Sequence, residues 1–359
     1  MDNGIRHILG KKTFTKADIV ELLMCEGENK KALFAKSAEI TEKYIGRKVW
    51  LRGLIEFSNI CGKNCLYCGI RKGNHNIERY SLSDEEIVQA ATFALRNSYG
   101  SIALQSGELE SCNVTDRIEK LVRNIKNLSA GKLGITLSVG EQTPETYKRW
   151  FEAGAHRYLL RMEATNELLY AKIHPNDAAH SFHRRLDCLK SLQDTGYQTG
   201  TGVMIGLPFQ TADNLADDLL FMNGFDIDMC GMGPYIEHAD TPLANTSGGL
   251  LSIEQRFELT LKMIAIIRIM MKDINIVAST AMQAIYPAGR ERAISAGANI
   301  IMPNITPLMY RGSYRLYDNK PITDVRPENS AATALAGAEV AYGSWGDSSH
   351  YGKRTGIRQ

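Results

Sequence analysis

The chain has 359 residues, 44% of them hydrophobic, with 42 basic and 40 acidic side chains mixed along it and a net charge of +2. Charge this balanced, with no basic block, excludes the electrostatic footprint of a nucleic-acid binder, and no apolar run approaches the ~20 residues of a membrane-spanning helix. Seven cysteines are an odd number and nothing at the N-terminus resembles a secretion signal, which argues against a disulfide framework and for a reducing, cytoplasmic setting.

Residues 1–47 read as a helical extension. Thr15 can cap a helix with Ile19, Leu22 and Leu23 on one face, and a second helix from about 29 to 44 stops at Gly46. The extension is expected to cover one end of the domain that follows, with Cys25 as a packing residue at the junction. From Val49 the chain alternates short apolar runs with amphipathic helices. The runs cover 50–57, 101–106, 135–139, 157–162, 199–205, 226–232, 274–279 and 299–302. Ser83 with Glu86 and Ser252 with Gln255 form capping boxes, Thr143-Pro144 places proline at a first helical position, and Thr211 caps another helix. One helix repeats Ile118, Leu121, Val122, Ile125 and Leu128 at helical spacing, and another runs over about 182–192. Gly100, Gly154, Gly196 and Gly297 stand where helices turn back into strands and read as left-handed caps.

Eight strands alternating with helices predict a complete (β/α)8 barrel of the TIM type over 48–342. An alanine-rich stretch, 330–342, is the candidate eighth helix, and 343–359 reads as a polar, mobile tail. In such barrels the chemistry sits at the carboxyl ends of the strands. Collecting the polar residues there gives Ser58, Asn59, Gln105, Ser106, Glu108, Thr136, Ser138, Glu141, Arg161 and Glu163, and from the later strands Met204, Tyr235, Ser279, Thr280, Met282 and Asn304. Arg161 and Glu163 stand out, because a charge beside an apolar barrel strand is costly unless paired or engaged with a ligand.

The first strand runs into FSNICGKNCLYCGIRKGNHNIERY (57–80), where Cys61, Cys65 and Cys68 are spaced C-x3-C-x2-C. Three thiolates can hold three irons of a 4Fe-4S cluster and leave the fourth open, whereas an electron-transfer cluster takes four. A zinc site with His75 or a distant fourth ligand is the alternative, although zinc cysteines more often come as two separated C-x2-C pairs. Cys112, Cys188 and Cys230 are widely spaced, Cys188 in a core pattern beside Leu186 and Leu189. No cysteine follows Cys230, so a second cluster near the C-terminus is not expected.

With Tyr67 directly before the third cysteine, this motif is the signature of the radical SAM superfamily. The segments IEFSNICGKNCLYCGIR (55–71), IALQSGE (102–108), ITLSVGE (135–141), HRYLLRMEATN (156–166) and ANIIMPNITP (298–307) resemble the HydE family of FeFe-hydrogenase maturases over most of 15–315, within a subgroup that also holds biotin synthase and methylornithine synthase. The resemblance implies a 4Fe-4S cluster on Cys61, Cys65 and Cys68 whose open iron binds S-adenosylmethionine (SAM). It implies SAM contacts from Tyr67, Gln105, Ser106, Glu108, Thr136, Ser138, Glu163, Arg185 and Met204, and a substrate side formed by Arg161, Thr280 and Tyr310. It further implies a small iron-bound, cysteine-derived substrate, ferredoxin or flavodoxin as one-electron donor, and other hydrogenase maturation proteins as partners. Two other readings stand beside it: an amino-acid mutase like methylornithine synthase, and a non-catalytic iron–sulfur scaffold.

Overall fold

The computed structural model describes residues 3–246, 249–322 and 337–356. Its strands are β1 (Lys48–Ser58), β2 (Ser101–Ser106), β3 (Gly134–Ser138), β4 (Arg157–Leu159), β5 (Gln198–Thr201), β6 (Met204–Ile205), β7 (Met229–Cys230), β8 (Gly233–Pro234), β9 (Asn275–Ile276), β10 (Ile300–Ile301) and β11 (Glu339–Ala341). Eight of them pair in parallel in the order β10-β1-β2-β3-β4-β5-β7-β9. The ends of this order meet: Asn299 N–H donates to Ile276 O and Ala278 N–H to Ile300 O, each at 2.9 Å, and Val277 bridges Ile300. The expected barrel is present. Its fifth and sixth runs are interrupted where Gly202 meets Gly231, a crossing so tight that a Cβ would stand 2.0 Å from the Gly231 oxygen, and they resume as the parallel pair β6 and β8.

The predicted caps form. Ser83, Thr211 and Ser252 make reciprocal capping boxes, and Thr143 caps a helix with Pro144 in its first turn. Helix Cys112–Leu128 buries Ile118, Leu121, Val122 and Ile125, each stabilising the barrel wall by about 1.5–3 kcal/mol. Helix Ile253–Met270 is buried on nearly every side. The reason is the N-terminal extension, which lies on the barrel's flank and not over an end. It comprises α1 (Asn3–Gly10), α2 (Lys16–Met24) and α3 (Gly27–Tyr44). Lys262 Nζ donates to Leu23 O at 2.9 Å and to Glu26 at 2.8 Å, and Ser37 Oγ donates to Ala296 O at 2.7 Å.

The C-terminus departs most from expectation. Of the candidate eighth helix, 330–336 lie outside the described residues, and Glu339–Ala341 is a strand paired in parallel with β1. Residues 344–355 are no free tail. They close the floor of the barrel. Arg157, fully buried, reaches Trp345 O and Asp347 Oδ1, both at 2.6 Å, while Arg52 donates to Gly346 O at 3.2 Å and Asn275 to the same oxygen at 2.8 Å. Helix Ser349–Thr355 is then pinned by Arg354 on Asp228 at 2.6 Å and by His350 between Asp226 and Asp273. Two guanidiniums in the barrel interior need acceptors, and this segment supplies them. It also corrects the reading of Gly100. Gly154, Gly196 and Gly297 have φ of +115°, +103° and +126°, but at the first helix end Ser98 takes the left-handed turn. Gly100 is small because a Cβ would lie 1.6 Å from Ser344 O. Among the described residues no helix is long and apolar enough to cross a membrane.

Candidate active site

The loop after β1 is held largely by side chains that grip its backbone. Arg79 donates to the carbonyls of Asn59, Ile70, Arg71 and Asn74 at 2.7–3.0 Å, so one side chain staples both limbs of the loop. Asn64 N–H donates to His180 Nε2 at 2.8 Å, which leaves Nδ1–H to donate to Asp177 at 2.6 Å. Gly62 N–H donates to Glu108 O at 2.8 Å, and Glu108 N–H points at Cys61 Sγ at 3.3 Å. Gly107 lies between them, where a Cβ would come within 2.3 Å of Ile60 O. Cys61, Cys65 and Cys68 all face one cavity at the carboxyl ends of the strands. Burial raises all three thiols, Cys65 to about 12, so they become thiolates only against a bound cation.

One wall of that cavity is an ion network. Arg185, on helix Phe182–Thr195, holds Glu108 through Nη2 at 2.7 Å and Nη1 at 3.1 Å, and Glu141 through Nη1 at 2.7 Å. Its Nε is spent on Arg161 O at 2.7 Å. Burial works to raise the Glu108 carboxyl, but the Arg185 guanidinium outweighs it and holds the pKa at about 2. Glu163 follows β4 with φ +66°, a strained left-handed backbone of the kind that clusters at functional sites. Arg161 Nη2 stands 2.8 Å from Glu163 Oε2 but is aligned on Val203 O at 3.0 Å. Among the described residues that carboxylate oxygen therefore receives no aligned hydrogen bond, nor does Arg161 Nε make one. Burial raises Glu163, partly offset by Arg161. Beside Cys68, the Tyr67 ring meets His174 edge-on at 5.4 Å. His174 Nδ1–H donates to Tyr170 O at 2.9 Å, so its Nε2 accepts from Tyr67 OH at 3.3 Å. Burial keeps this imidazole neutral, with a pKa of about 3.

A profile of the Radical SAM superfamily matches residues 55–222, from the cluster loop into the helix Ala212–Gly224 that follows the fifth strand run. The [FeFe] hydrogenase maturase subunit HydE of Thermotoga maritima is 47% identical over 313 residues, 87% of this chain and 86% of that one. The chain belongs to the radical SAM superfamily, in the HydE family. It is an enzyme that uses a 4Fe-4S cluster to cleave SAM. In fold it matches methylornithine synthase PylB at TM-score 0.79 (24% identity, 95% of this chain and 98% of that one). It also matches the FeFe-hydrogenase maturase HydG from Carboxydothermus hydrogenoformans at 0.77 (19% identity, 94% and 79%). The donor set of this radical SAM chain fits the cluster: three thiols on one loop open to the cavity, with no fourth cysteine among the lining residues. Among the described residues no three His, Cys, Asp or Glu side chains stand as a one-ion site does, and a four-iron cube, which gives each thiolate its own iron, does not ask for one.

The cavity brings together most of the side chains singled out from the sequence. Tyr67, Gln105, Ser106, Glu108, Ser138, Arg161, Glu163, Arg185, Met204 and Thr280 all line it with the three cysteines. Ser58, Asn59, Thr136, Glu141, Tyr235, Met282, Asn304 and Tyr310 are not among them. Thr136 lies on the same face as Ser138 but one step deeper, buried, with its hydroxyl making no hydrogen bond among the described residues. Tyr310 turns outward, stacked on Tyr80 at 5.0 Å and donating to Glu86 at 3.1 Å. Tyr314, past the end of the short helix Leu308–Arg311, takes the lining position and hydrogen-bonds Gln105 at 3.3 Å. Sequence reasoning also missed a polar set on the opposite wall. Glu56, inside β1, accepts from Asn304 at 2.8 Å and pairs with Lys320, which also donates to Tyr314 O at 2.9 Å. Glu56 was legible as one of two charges, with Arg52, inside a largely apolar strand; Lys320 carried no such signal.

Proposed function

We propose that this chain is an FeFe-hydrogenase maturase acting, in the cytoplasm, on a small iron-bound, cysteine-derived substrate that is attacked at sulfur. The 47% identity to HydE along 87% of the chain carries this reading. Bound at Cys61, Cys65 and Cys68, the cluster supplies the electron that cleaves the SAM sulfonium and so releases a 5′-deoxyadenosyl radical. The protein's own part is to bind, orient and enclose. Glu108, ionised at neutral pH, holds the SAM ammonium, with Gln105 and Ser106 on the same strand end, and Arg185 meets the α-carboxylate in a charge-assisted pair. Glu163, ion-paired with Arg161, accepts from the ribose hydroxyls. Tyr67, locked by neutral His174, lies along the adenine, with Met204 and Ser138 completing the contact. Arg161 and Thr280 face the substrate, and we add Tyr314, Glu56 and Lys320 to that side in place of Tyr310. A ferredoxin or flavodoxin would deliver the electron to the cluster that Cys61, Cys65 and Cys68 would hold, and other maturation proteins take the product.

The test is maturation itself. An apo-FeFe-hydrogenase incubated anaerobically with the remaining maturation proteins should evolve hydrogen when this chain is added and stay inactive with its Cys65→Ser form. Equal activation without the chain refutes the maturase reading while leaving SAM cleavage standing.

A further inference from the structure

One charged group in the ion network never reaches the cavity. Glu141 follows β3 and is 3% exposed, and it is absent from the cavity's lining while Lys63, Glu108 and Arg185 all belong to it. Its two oxygens take three cations. Oε1 holds Arg185 at 2.7 Å, and Oε2 holds Lys63 at 2.8 Å with Arg184 at 3.4 Å. Lys63 lies between Cys61 and Cys65, so this carboxylate connects the cluster loop to the arginine that orients Glu108. The shelf it stands on is shaped to Glu108 as well. Gly140 has φ +85° and a Cβ there would strike Glu108 Cγ at 2.3 Å, Tyr158 OH donates to Gly140 O at 2.6 Å, and Gln142 Nε2 donates to Leu109 O at 2.9 Å.

We propose that Glu141 is a positioning residue for SAM cleavage: from behind the cavity wall it clamps Lys63 to Arg185, fixing the cluster loop and the Glu108–Arg185 pair relative to each other. The physical need is specific. Without ligand, Arg185 is shared by two carboxylates. When the ammonium of SAM draws Glu108 toward it, Glu141 is the carboxylate that still holds Arg185 in place, beside the Arg161 carbonyl on its Nε, and the guanidinium can then meet the incoming carboxylate. Glu141 can serve as that fixed point because its second oxygen is tied to Lys63 on a loop that Arg79 and the cluster cysteines already immobilise. This inference rests on the assignment of Glu108 and Arg185 to SAM made above.

The test uses the full chain, reconstituted anaerobically, with iron content measured and SAM affinity read from equilibrium dialysis. Glu141→Gln keeps the shape but removes the charge that holds three cations, and it should retain parental iron while its Kd for SAM rises at least about tenfold, the usual cost of losing the group that orients a ligand-holding residue. Lys63→Met, at the more exposed end of the clamp, should weaken SAM in the same direction by about threefold or more. Because the two residues form one unit, the double variant should bind no more weakly than Glu141→Gln alone. A Kd within twofold of the parent at unchanged iron, or full additivity of the two changes, overturns the proposal. If Glu141→Gln does not fold, the Lys63→Met result decides alone, and an unchanged Kd there overturns it equally. Glu108→Gln is the control. Unaltered SAM binding in that variant would sink the underlying site assignment, whereas loss there with no effect at Glu141 sinks only the clamp.

Discussion

Arg161 and Glu163 show how a single residue can announce itself in sequence and still need structure to be understood. Both are conspicuous as charges beside an apolar strand, but only the structure shows that they pair with each other at 2.8 Å while, among the described residues, Arg161 Nε makes no hydrogen bond. A buried group left without its partner costs about 1–3 kcal/mol, and a site that binds a polar ligand recovers it. Arg161→Ala should therefore leave 5′-deoxyadenosine formation within about threefold of the parent and lower substrate-derived product by tenfold or more; equal loss of both would place Arg161 on the SAM side. Glu108 gives a pH prediction. Its folded pKa of about 2 lies below the ordinary 4.5, so its contribution to stability is complete above the unfolded value and is lost only as pH falls through about 2. SAM affinity should accordingly show no step assignable to Glu108 between about pH 5 and 8, which a dialysis series over that range would check.

At the scale of elements, the barrel was readable because each unit repeats the same local grammar. Capping boxes, a proline at a first helical turn and the 3.6-residue spacing of Ile118, Leu121, Val122 and Ile125 are all local signals, and they sit where the structure has them. What was not readable depends on partners far away in sequence. Arg79 looks like any loop arginine until its four carbonyl acceptors are seen, and Tyr310 and Tyr314 cannot be told apart until the chain after β10 is placed. The loop staple makes its own prediction. Arg79→Ala removes four hydrogen bonds from a charged donor, of a class worth about 1.5–3 kcal/mol each before compensation by water. It should lower the iron retained after reconstitution and gel filtration by half or more, and full retention would show that the cysteines and backbone suffice.

For the molecule as a whole, the sealing of the barrel at its far end was the least legible feature, because a glycine-rich polar sequence gives no sign of being gripped by buried arginines. Asp347 is the anchor. Its carboxyl is raised by burial but driven far lower by His156 and Arg157, so the pair stabilises above the usual carboxylate pKa and fails only in strong acid. Asp347→Asn should cost about 2–4 kcal/mol, near the lower part of the range for breaking a buried pair because the aspartate keeps 22% exposure. Thermal denaturation at neutral pH would then show a Tm lower by several degrees, with the gap to the parent narrowing in acid. On the proposed function the whole architecture serves one arrangement: three thiols that would hold a cluster with its fourth iron open to SAM in the cavity. The measurement that probes this most directly is metal and product analysis of anaerobically reconstituted protein with SAM and a strong reductant. The parent chain and Cys188→Ser, whose thiol is buried against Gln142 O at 3.5 Å, should both contain iron and sulfide and release 5′-deoxyadenosine, while Cys65→Ser should do neither. Zinc in place of iron in the parent, or undiminished 5′-deoxyadenosine from Cys65→Ser, would contradict the account.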